Sequence, residues 1–305
     1  MKDKSTKNLR KSMNRGSVEQ TTKVHQHNGE VMSLAEKEVI SVPPSKSIKD
    51  TANLMIEHEF RRLPVTDPGS GKVLGIVTAM DILNFLGGGD KSNIIKYKFE
   101  DNYLAAINES VREIMTRDVI TMSSKSSIGD TVKTMINHHV GAIPIVDAED
   151  KLVGIVTERD FALALAGVLT DELIEDYMTT DVITITSGTP LETSSKLMVR
   201  NSFRRVPVVE EDKLIGIITS TDVLSFFVDK KCFSQMTSNK GTDVLNTKIS
   251  EIMEKDMISM EPLTRLGDLC EVFKEKNIGG VPVVKNGVLM GIITERDILK
   301  AININ

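Results

Sequence analysis

One frame recurs four times along this 305-residue chain, and it constrains the fold more than any other feature. A proline within a β-branched run is followed by a glycine, then three residues on by a threonine, then three further on by an aspartate. The prolines are Pro64, Pro144, Pro207 and Pro282, and Gly75, Gly154, Gly216 and Gly291 follow them by 11, 10, 9 and 9 residues. Thr78 with Asp81, Thr157 with Asp160, Thr219 with Asp222 and Thr294 with Asp297 close the four frames. Such internal repetition has to be settled before any single motif is interpreted, because each repeat is one supersecondary unit.

The second repeat serves as a template. Val119 to Met122 reads as a strand, and Ser126 or Ser127 as a helix cap. Ile128, Val132, Met135 and Ile136 then recur at the spacing of one helical face. Ala142 to Val146 and Leu152 to Val156 read as strands around an acidic turn at Asp147 to Asp150, and a second helix starts at Glu158. The expected class is therefore α/β, with four β-α-β-β-α units. One unit of about 60 residues has a marginal core, so the units should pack in pairs. The chain divides into a basic tail (1–31), repeats at 32–90, 110–168, 169–230 and 248–305, an insertion at 91–109 and a linker at 231–247. The run Gly87-Gly88-Gly89 should open the insertion as a flexible turn, followed by a helix containing Tyr103 to Ile107.

The repeats alternate. The first and third read Phe60-Arg61-Arg62-Leu63-Pro64 and Phe203-Arg204-Arg205-Val206-Pro207, whereas the second and fourth read Val140-Gly141-Ala142-Ile143-Pro144 and Ile278-Gly279-Gly280-Val281-Pro282. The corners alternate in step: Thr-Glu-Arg-Asp in the even repeats (157–160 and 294–297), Thr78-Ala79-Met80-Asp81 and Thr219-Ser220-Thr221-Asp222 in the odd ones. An ancestral pair was duplicated.

Composition narrows the classes of function. The net charge is −5, but residues 1 to 30 hold seven basic and three acidic side chains, so about −9 remains on the rest. Basic residues confined to a tail, aromatics at 4 %, and no zinc-finger or helix-turn-helix pattern disfavour a nucleic-acid binder. Apolar runs such as Val288 to Ile293 stop near six residues, against the roughly 18 of a membrane span. No membrane span or secretory signal is therefore expected, and the expected location is the cytoplasm. Cys232 and Cys270 cannot make a disulfide framework or a four-ligand zinc site, and His25 and His27 in the tail lack further ligands, so no metal site is expected. His138 and His139, at a helix end, read as ordinary polar residues. Repeats fill the chain, leaving no room for a catalytic barrel of about 250 residues, so no catalytic residues and no enzyme are expected.

The Thr-x-x-Asp corner alone is close to a capping box, which merely starts a helix well. The same corner can also hold phosphate, because a helix N-terminus presents free N–H groups and partial positive charge, and an acid one turn on can accept bonds from vicinal hydroxyls. Four copies led in by glycine favour the second reading. So do Arg159 and Arg296 within the even corners. Two adjacent arginines in a half-buried strand, Arg61-Arg62 and Arg204-Arg205, point to opposite faces, so one of each pair faces the packed side and calls for an anion.

These residues resemble the cystathionine beta-synthase (CBS) domain family, whose repeats pair as Bateman modules around adenosine-type ligands. Four copies in one chain look like the gamma regulatory subunit of AMP-activated protein kinase and its prokaryotic four-repeat relatives, and imply two modules in a disk. The resemblance implies that Thr78, Thr157, Thr219 and Thr294 contact phosphate, and that Asp81, Asp160, Asp222 and Asp297 contact ribose. It also implies that Arg62 and Arg205 reach phosphate across a module. On this basis Thr157, Arg159, Asp160, Arg61 and Arg62 form one strong phosphate site, and Thr294, Arg296, Asp297, Arg204 and Arg205 another. The odd corners, facing Gly141-Ala142 and Gly279-Gly280, should prefer less charged adenosine compounds or fill weakly. The implied protein is a sensor of AMP, ADP or ATP that needs no cofactor and signals to an unidentified regulated partner, with self-association into a homodimer left open. A sensor of S-adenosylmethionine or another adenosyl ligand, or a nucleic-acid-associated regulator using the basic tail, is the alternative.

Overall fold

A computed structural model of the chain describes residues 31–164, 171–229 and 241–304. The basic tail up to residue 30, with His25 and His27, and Cys232 in the linker lie outside the described residues.

In the first repeat, helix α1 (Ile48–Glu57) is capped by Ser47, whose side chain accepts from the Asp50 amide at 3.0 Å. Ile48, Ala52 and Met55 form its buried face. Burial of each large apolar side chain of this kind is worth about 1.5–3 kcal/mol. Strands β1 (Arg62–Thr66) and β2 (Val73–Thr78) pair antiparallel, and α2 (Ala79–Leu83) starts directly at the end of β2. Two helices follow in the insertion, α3 (Ser92–Lys98) and the expected α4 (Tyr103–Ile107). They are reached through a π-helical turn at Asn84–Gly88, where Gly87 takes a φ of 132° that a side chain would oppose. The second repeat comprises β3 (Met122–Ser123), α5 (Ile128–Asn137), β4 (Ala142–Val146), β5 (Leu152–Thr157) and α6 (Glu158–Ala164). Of the two candidate caps, Ser127 is the one used. The third has α7 (Leu191–Asn201), β6 (Arg205–Glu210), β7 (Lys213–Thr219) and α8 (Ser220–Val228). The fourth has α9 (Leu266–Glu275), β8 (Gly280–Lys285), β9 (Val288–Thr294) and α10 (Glu295–Ile304).

The first strand of the unit departs from expectation. Instead of Val119 to Met122, only Met122 and Ser123 pair, parallel to β4, and the other three repeats keep a single bridge there: Val42 with Val65, Ile185 with Val208 and Met260 with Val283. The backbone just upstream is bonded elsewhere. Thr116, at the start of the second repeat, exchanges two 2.9 Å bonds with Ile76 of the first, and Glu36 of the first does the same with Ile155 of the second. Thr179 with Ile292, and Glu254 with Ile217, repeat the exchange between the third and fourth repeats.

Repeats 1 and 2, and repeats 3 and 4, are thus joined through reciprocal strand contacts. Helices join the other neighbours: α8 packs on α1 and α2, tying repeat 3 to repeat 1, and α10 packs on α5 and α6, tying repeat 4 to repeat 2. One apolar core spans repeats 1 and 3 and takes in the insertion. Smaller cores serve repeats 2 and 4, which exchange Ala162 and Leu299. Cys270 is buried in the repeat 4 core, and burial pushes its thiol up to about 11. The four repeats close a ring in the order 1, 2, 4, 3, whose centre is left to the diagonals.

Candidate ligand-binding corners

All four corners share one hydrogen-bond pattern. The aspartate Oδ2 accepts from both the backbone N–H and the hydroxyl of its threonine: 2.9 and 2.7 Å at Asp81, 2.7 and 2.8 Å at Asp160, 2.7 Å for both at Asp222, and 3.0 and 2.8 Å at Asp297. The threonine hydroxyl proton is therefore spent on the carboxylate, and the hydroxyl reaches a phosphate as donor only by redirecting that proton. Oδ1 of each aspartate remains for other partners. Burial raises the Asp160 and Asp222 carboxyls above their ordinary range, and the threonine bonds oppose it. In the odd corners the threonine Oγ also accepts from the aspartate amide at 3.2 Å, completing a capping box.

Strand register places the residue two before each proline opposite its own corner: Arg62 pairs with Thr78, Ala142 with Thr157, Arg205 with Thr219 and Gly280 with Thr294. From there the arginines lean across the module. The Arg205 guanidinium donates to the Gly279 carbonyl at 2.7 Å, and a Cβ added to Gly141 would lie 3.2 Å from Arg62.

Six arginines converge on the ring's centre with two buried glutamates. Glu158 is 1 % exposed and Glu295 is 2 % exposed. Arg204 of repeat 3 donates to Glu158 across one diagonal at 2.7 Å, and Arg296 of repeat 4 bonds the other Glu158 oxygen at 2.7 Å. Glu295 faces Arg61 of repeat 1, across the other diagonal, at 3.5 Å and Arg159 of repeat 2 at 3.6 Å. Its Oε1 has no hydrogen-bond partner among the described residues. Burial pushes the Glu158 carboxyl up, but Arg204 and Arg296 outweigh it and hold the group at about 2. Arg62 and Arg205 have no ion-pair partner among the described residues. Burial, reinforced by the neighbouring Arg204, lowers Arg62 to about 10 and Arg205 to about 9. Cations crowded to this degree raise a positive potential of the kind that suits an anion.

Four cavities open at the four corners. The Thr157 cavity, about 310 Å³, sits at the small end of the roughly 300–1,000 Å³ usual for ligand sites, and the Thr294 cavity, about 270 Å³, just below it. Arg61, Arg62, Arg159, Thr157 and Asp160 line the first, and Arg204, Arg205, Arg296, Thr294 and Asp297 the second, so the sequence-predicted groups come together. Thr78 and Asp81 line a third cavity facing Gly141 and Ala142, and Thr219 and Asp222 a fourth facing Gly279 and Gly280. The odd corners lack arginine in their own junctions, but their walls are not arginine-poor. Arg61, Arg62, Arg204 and Arg296 reach the Thr78 cavity, and Arg61 and Arg205 the Thr219 cavity, because the guanidiniums lie between neighbouring corners. His139 also lines the Thr78 cavity, and its carbonyl accepts from Arg296 at 3.1 Å.

Two groups of residues escaped the reading of the sequence. Glu158 and Glu295 are the anchors of the centre. Val39 and Ile40 beside Phe60 and Pro64, and Val182 and Ile183 beside Phe203 and Pro207, make matching apolar walls in the two even cavities. Their signal was present in the repetition of Glu36-Lys37-Glu38-Val39-Ile40 as Thr116-Arg117-Asp118-Val119-Ile120, Thr179-Thr180-Asp181-Val182-Ile183 and Glu254-Lys255-Asp256-Met257-Ile258.

A ring of four such units, each ending in a Thr-x-x-Asp corner, defines the class: the chain belongs to the CBS-domain family, whose model matches residues 30–88, 111–167, 174–229 and 249–304. Among individual proteins, it is 42 % identical over 273 residues to MJ1225 of Methanocaldococcus jannaschii, covering 88 % of this chain and 98 % of that one. The crystal structure of MJ1225, described as a candidate archaeal homolog of gamma-AMPK, superposes with a TM-score of 0.86 over 90 % of this chain and 99 % of that chain. A 33.4 kDa protein from the ribosomal RNA operon of Thermofilum pendens is 28 % identical over 258 residues, 85 % of this chain and 86 % of the other. A conserved Pyrococcus horikoshii protein, 21 % identical, shares the fold with a TM-score of 0.58 over 89 % of this chain and 99 % of its own. No helix among the described residues is long and apolar enough to cross a membrane.

Proposed function

We propose that this protein is an adenine-nucleotide sensor that takes AMP, ADP or ATP at its even corners and passes the change in the ring's centre to a regulated partner. The single observation that carries the reading is the pair of half-buried guanidiniums that find no carboxylate partner among the described residues, Arg62 and Arg205, each lining an even cavity that also holds a corner aspartate. A buried cation without a counter-charge is costly, and phosphate supplies the missing anion in bidentate geometry. The apolar wall at Ile40 and Phe60, or Ile183 and Phe203, suits a flat base. Oδ1 of Asp160 or Asp297 suits a ribose diol. The likeness to MJ1225, with its stated link to gamma-AMPK, supports the same reading.

Calorimetric titration of the full chain with AMP and ADP tests it. Asp160→Ala and Asp297→Ala should each weaken one strong site by about 10- to 100-fold, as loss of charge-assisted bonds predicts. Asp222→Ala should affect only weaker binding. Equal losses from all three would refute the ranking of the corners, and absence of heat with every adenosine compound would refute the sensor.

A further inference from the structure

The four corners differ in what holds Oδ1 of the aspartate, since Oδ2 is committed to threonine in every one. At Asp160 and Asp222 no ion pair or hydrogen bond to Oδ1 forms among the described residues. At Asp297 the partner is Lys300, one turn on along the same helix at 3.4 Å, with its side chain 56 % exposed. At Asp81 the partner comes from outside the helix. Lys91, contributed by the insertion, places its ammonium 2.6 Å from Oδ1, and the two side chains are only 29 % and 14 % exposed.

Lys91 is fixed at both ends. Its backbone N–H donates to the Asn84 side chain at 2.9 Å, and Asn84 sits three residues after Asp81, lining the same cavity. The Gly89 amide closes on the Asn84 carbonyl at 3.2 Å, shaping the turn that delivers Lys91. Its ammonium also donates to the carbonyl of Ile114, two residues before the Thr116 that lines the cavity from the second repeat. The insertion behind it is held down by buried Phe85, Leu86 and Ile95 and by Tyr103, whose hydroxyl donates to the Leu86 carbonyl. A neutral diol competing for Oδ1 would have to replace a short charge-assisted bond that is set by the fold.

We propose that Lys91 is a built-in occupant of the first corner. It withdraws Asp81 from ribose, so the Thr78 cavity holds no adenosine ligand and the chain takes at most three. The inference rests on the adenosine reading above and deepens it by assigning one corner of the four to structure, with Lys91 as the residue that decides this.

Full-length protein titrated with AMP provides the test. Lys91→Met should add one AMP site, raising affinity at the first corner by at least about tenfold, and adding Asp81→Asn to that variant should abolish the gain. Crystals of the unaltered chain grown with saturating AMP give an independent measurement, one that does not require any variant to fold. Nucleotide should be found at other corners, with Lys91 still on Asp81. AMP ribose bound to Asp81 in the unaltered chain, or a Lys91→Met protein that folds and gains nothing, overturns the role of Lys91 while leaving the sensor standing. No AMP at any corner in any variant overturns the adenosine reading and this inference with it.

Discussion

Even and odd corners share threonine and aspartate, and differ in the two residues between them. The odd corners carry Ala79-Met80 and Ser220-Thr221, and the even ones Glu158-Arg159 and Glu295-Arg296. The outer residues shape the same turn in both. The inner pair decides whether a corner also wires the ring's centre, because Glu158 and Glu295 each meet arginines from two other repeats, and between them from all four. The strands ahead of the corners are complementary. Odd repeats supply Arg61-Arg62 and Arg204-Arg205 where even repeats have Gly141-Ala142 and Gly279-Gly280. A Cβ at Gly279 would lie 2.5–2.6 Å from all three carboxyl atoms of Glu295, and one at Gly141 2.9 Å from Glu158. Odd repeats bring four of the six central cations, and even repeats bring the other two together with both anions and the space to seat them.

The largest expected effect tests that division directly. Glu158→Gln removes the counter-charge of Arg204 and Arg296. A carboxyl whose folded value is about 2 against an ordinary 4.5 contributes about 3 kcal/mol of stability at neutral pH, the order expected for breaking a buried pair. The folded value is depressed, so the contribution is present above about pH 4.5 and is lost as pH falls toward 2. Denaturant unfolding of wild type and variant should differ by about 3 kcal/mol at pH 7 and by less than half as much near pH 3. A difference independent of pH would mean that the glutamate's charge plays no part.

Next in size is the space itself. Gly279→Ala forces a methyl group onto Glu295 and should cost about 1–3 kcal/mol, as overpacking does. Gly141→Ala, whose nearest carboxyl contact is 2.9 Å against 2.5 Å at Gly279, should cost less. Thermal unfolding of both variants checks the order. If Gly141→Ala is the more damaging, the two glutamates are not seated alike.

How much of this was legible in the sequence depends on how far apart the interacting residues lie in the chain. The repeats, the corners and the helix over Ile128–Asn137 follow from spacings of a few residues, and local chemistry suffices for them. One arginine of each adjacent pair could be marked as needing an anion because neighbouring charges in a strand cannot both face water, and the family resemblance pointed to Arg62 and Arg205 as those members. The role of Glu158 could not be read in the same way, since it depends on Arg204, 46 residues away, and Arg296, 138 residues away. Those partners meet only because helices close the ring 1, 2, 4, 3. The shortened first strand has the same origin: Thr116 bonds the neighbouring repeat, a choice that β-propensity cannot reveal. Lys91 was simply one basic residue in an insertion until the turn at Asn84 aimed it at Asp81.

The smallest expected effect separates the corner's two jobs. In the odd corners the threonine hydroxyl both donates to the aspartate carboxylate and accepts from the aspartate amide, so Thr219→Ala removes a complete cap and should cost about 1 kcal/mol. At Thr157 only the donated bond forms, and the amide bond that would finish the box is not made. Thr157→Ala should therefore cost less stability, a few tenths of a kcal/mol by the same comparison, yet weaken AMP binding more than Thr219→Ala does. Chemical denaturation and AMP titration of the two variants give both orders in one set of measurements. Opposite orders mean that the even corner gives up part of its cap to keep groups for a ligand. The same order in both would reduce the even corners to imperfect helix starts, with nothing left to distinguish them from the odd ones except the charges between threonine and aspartate.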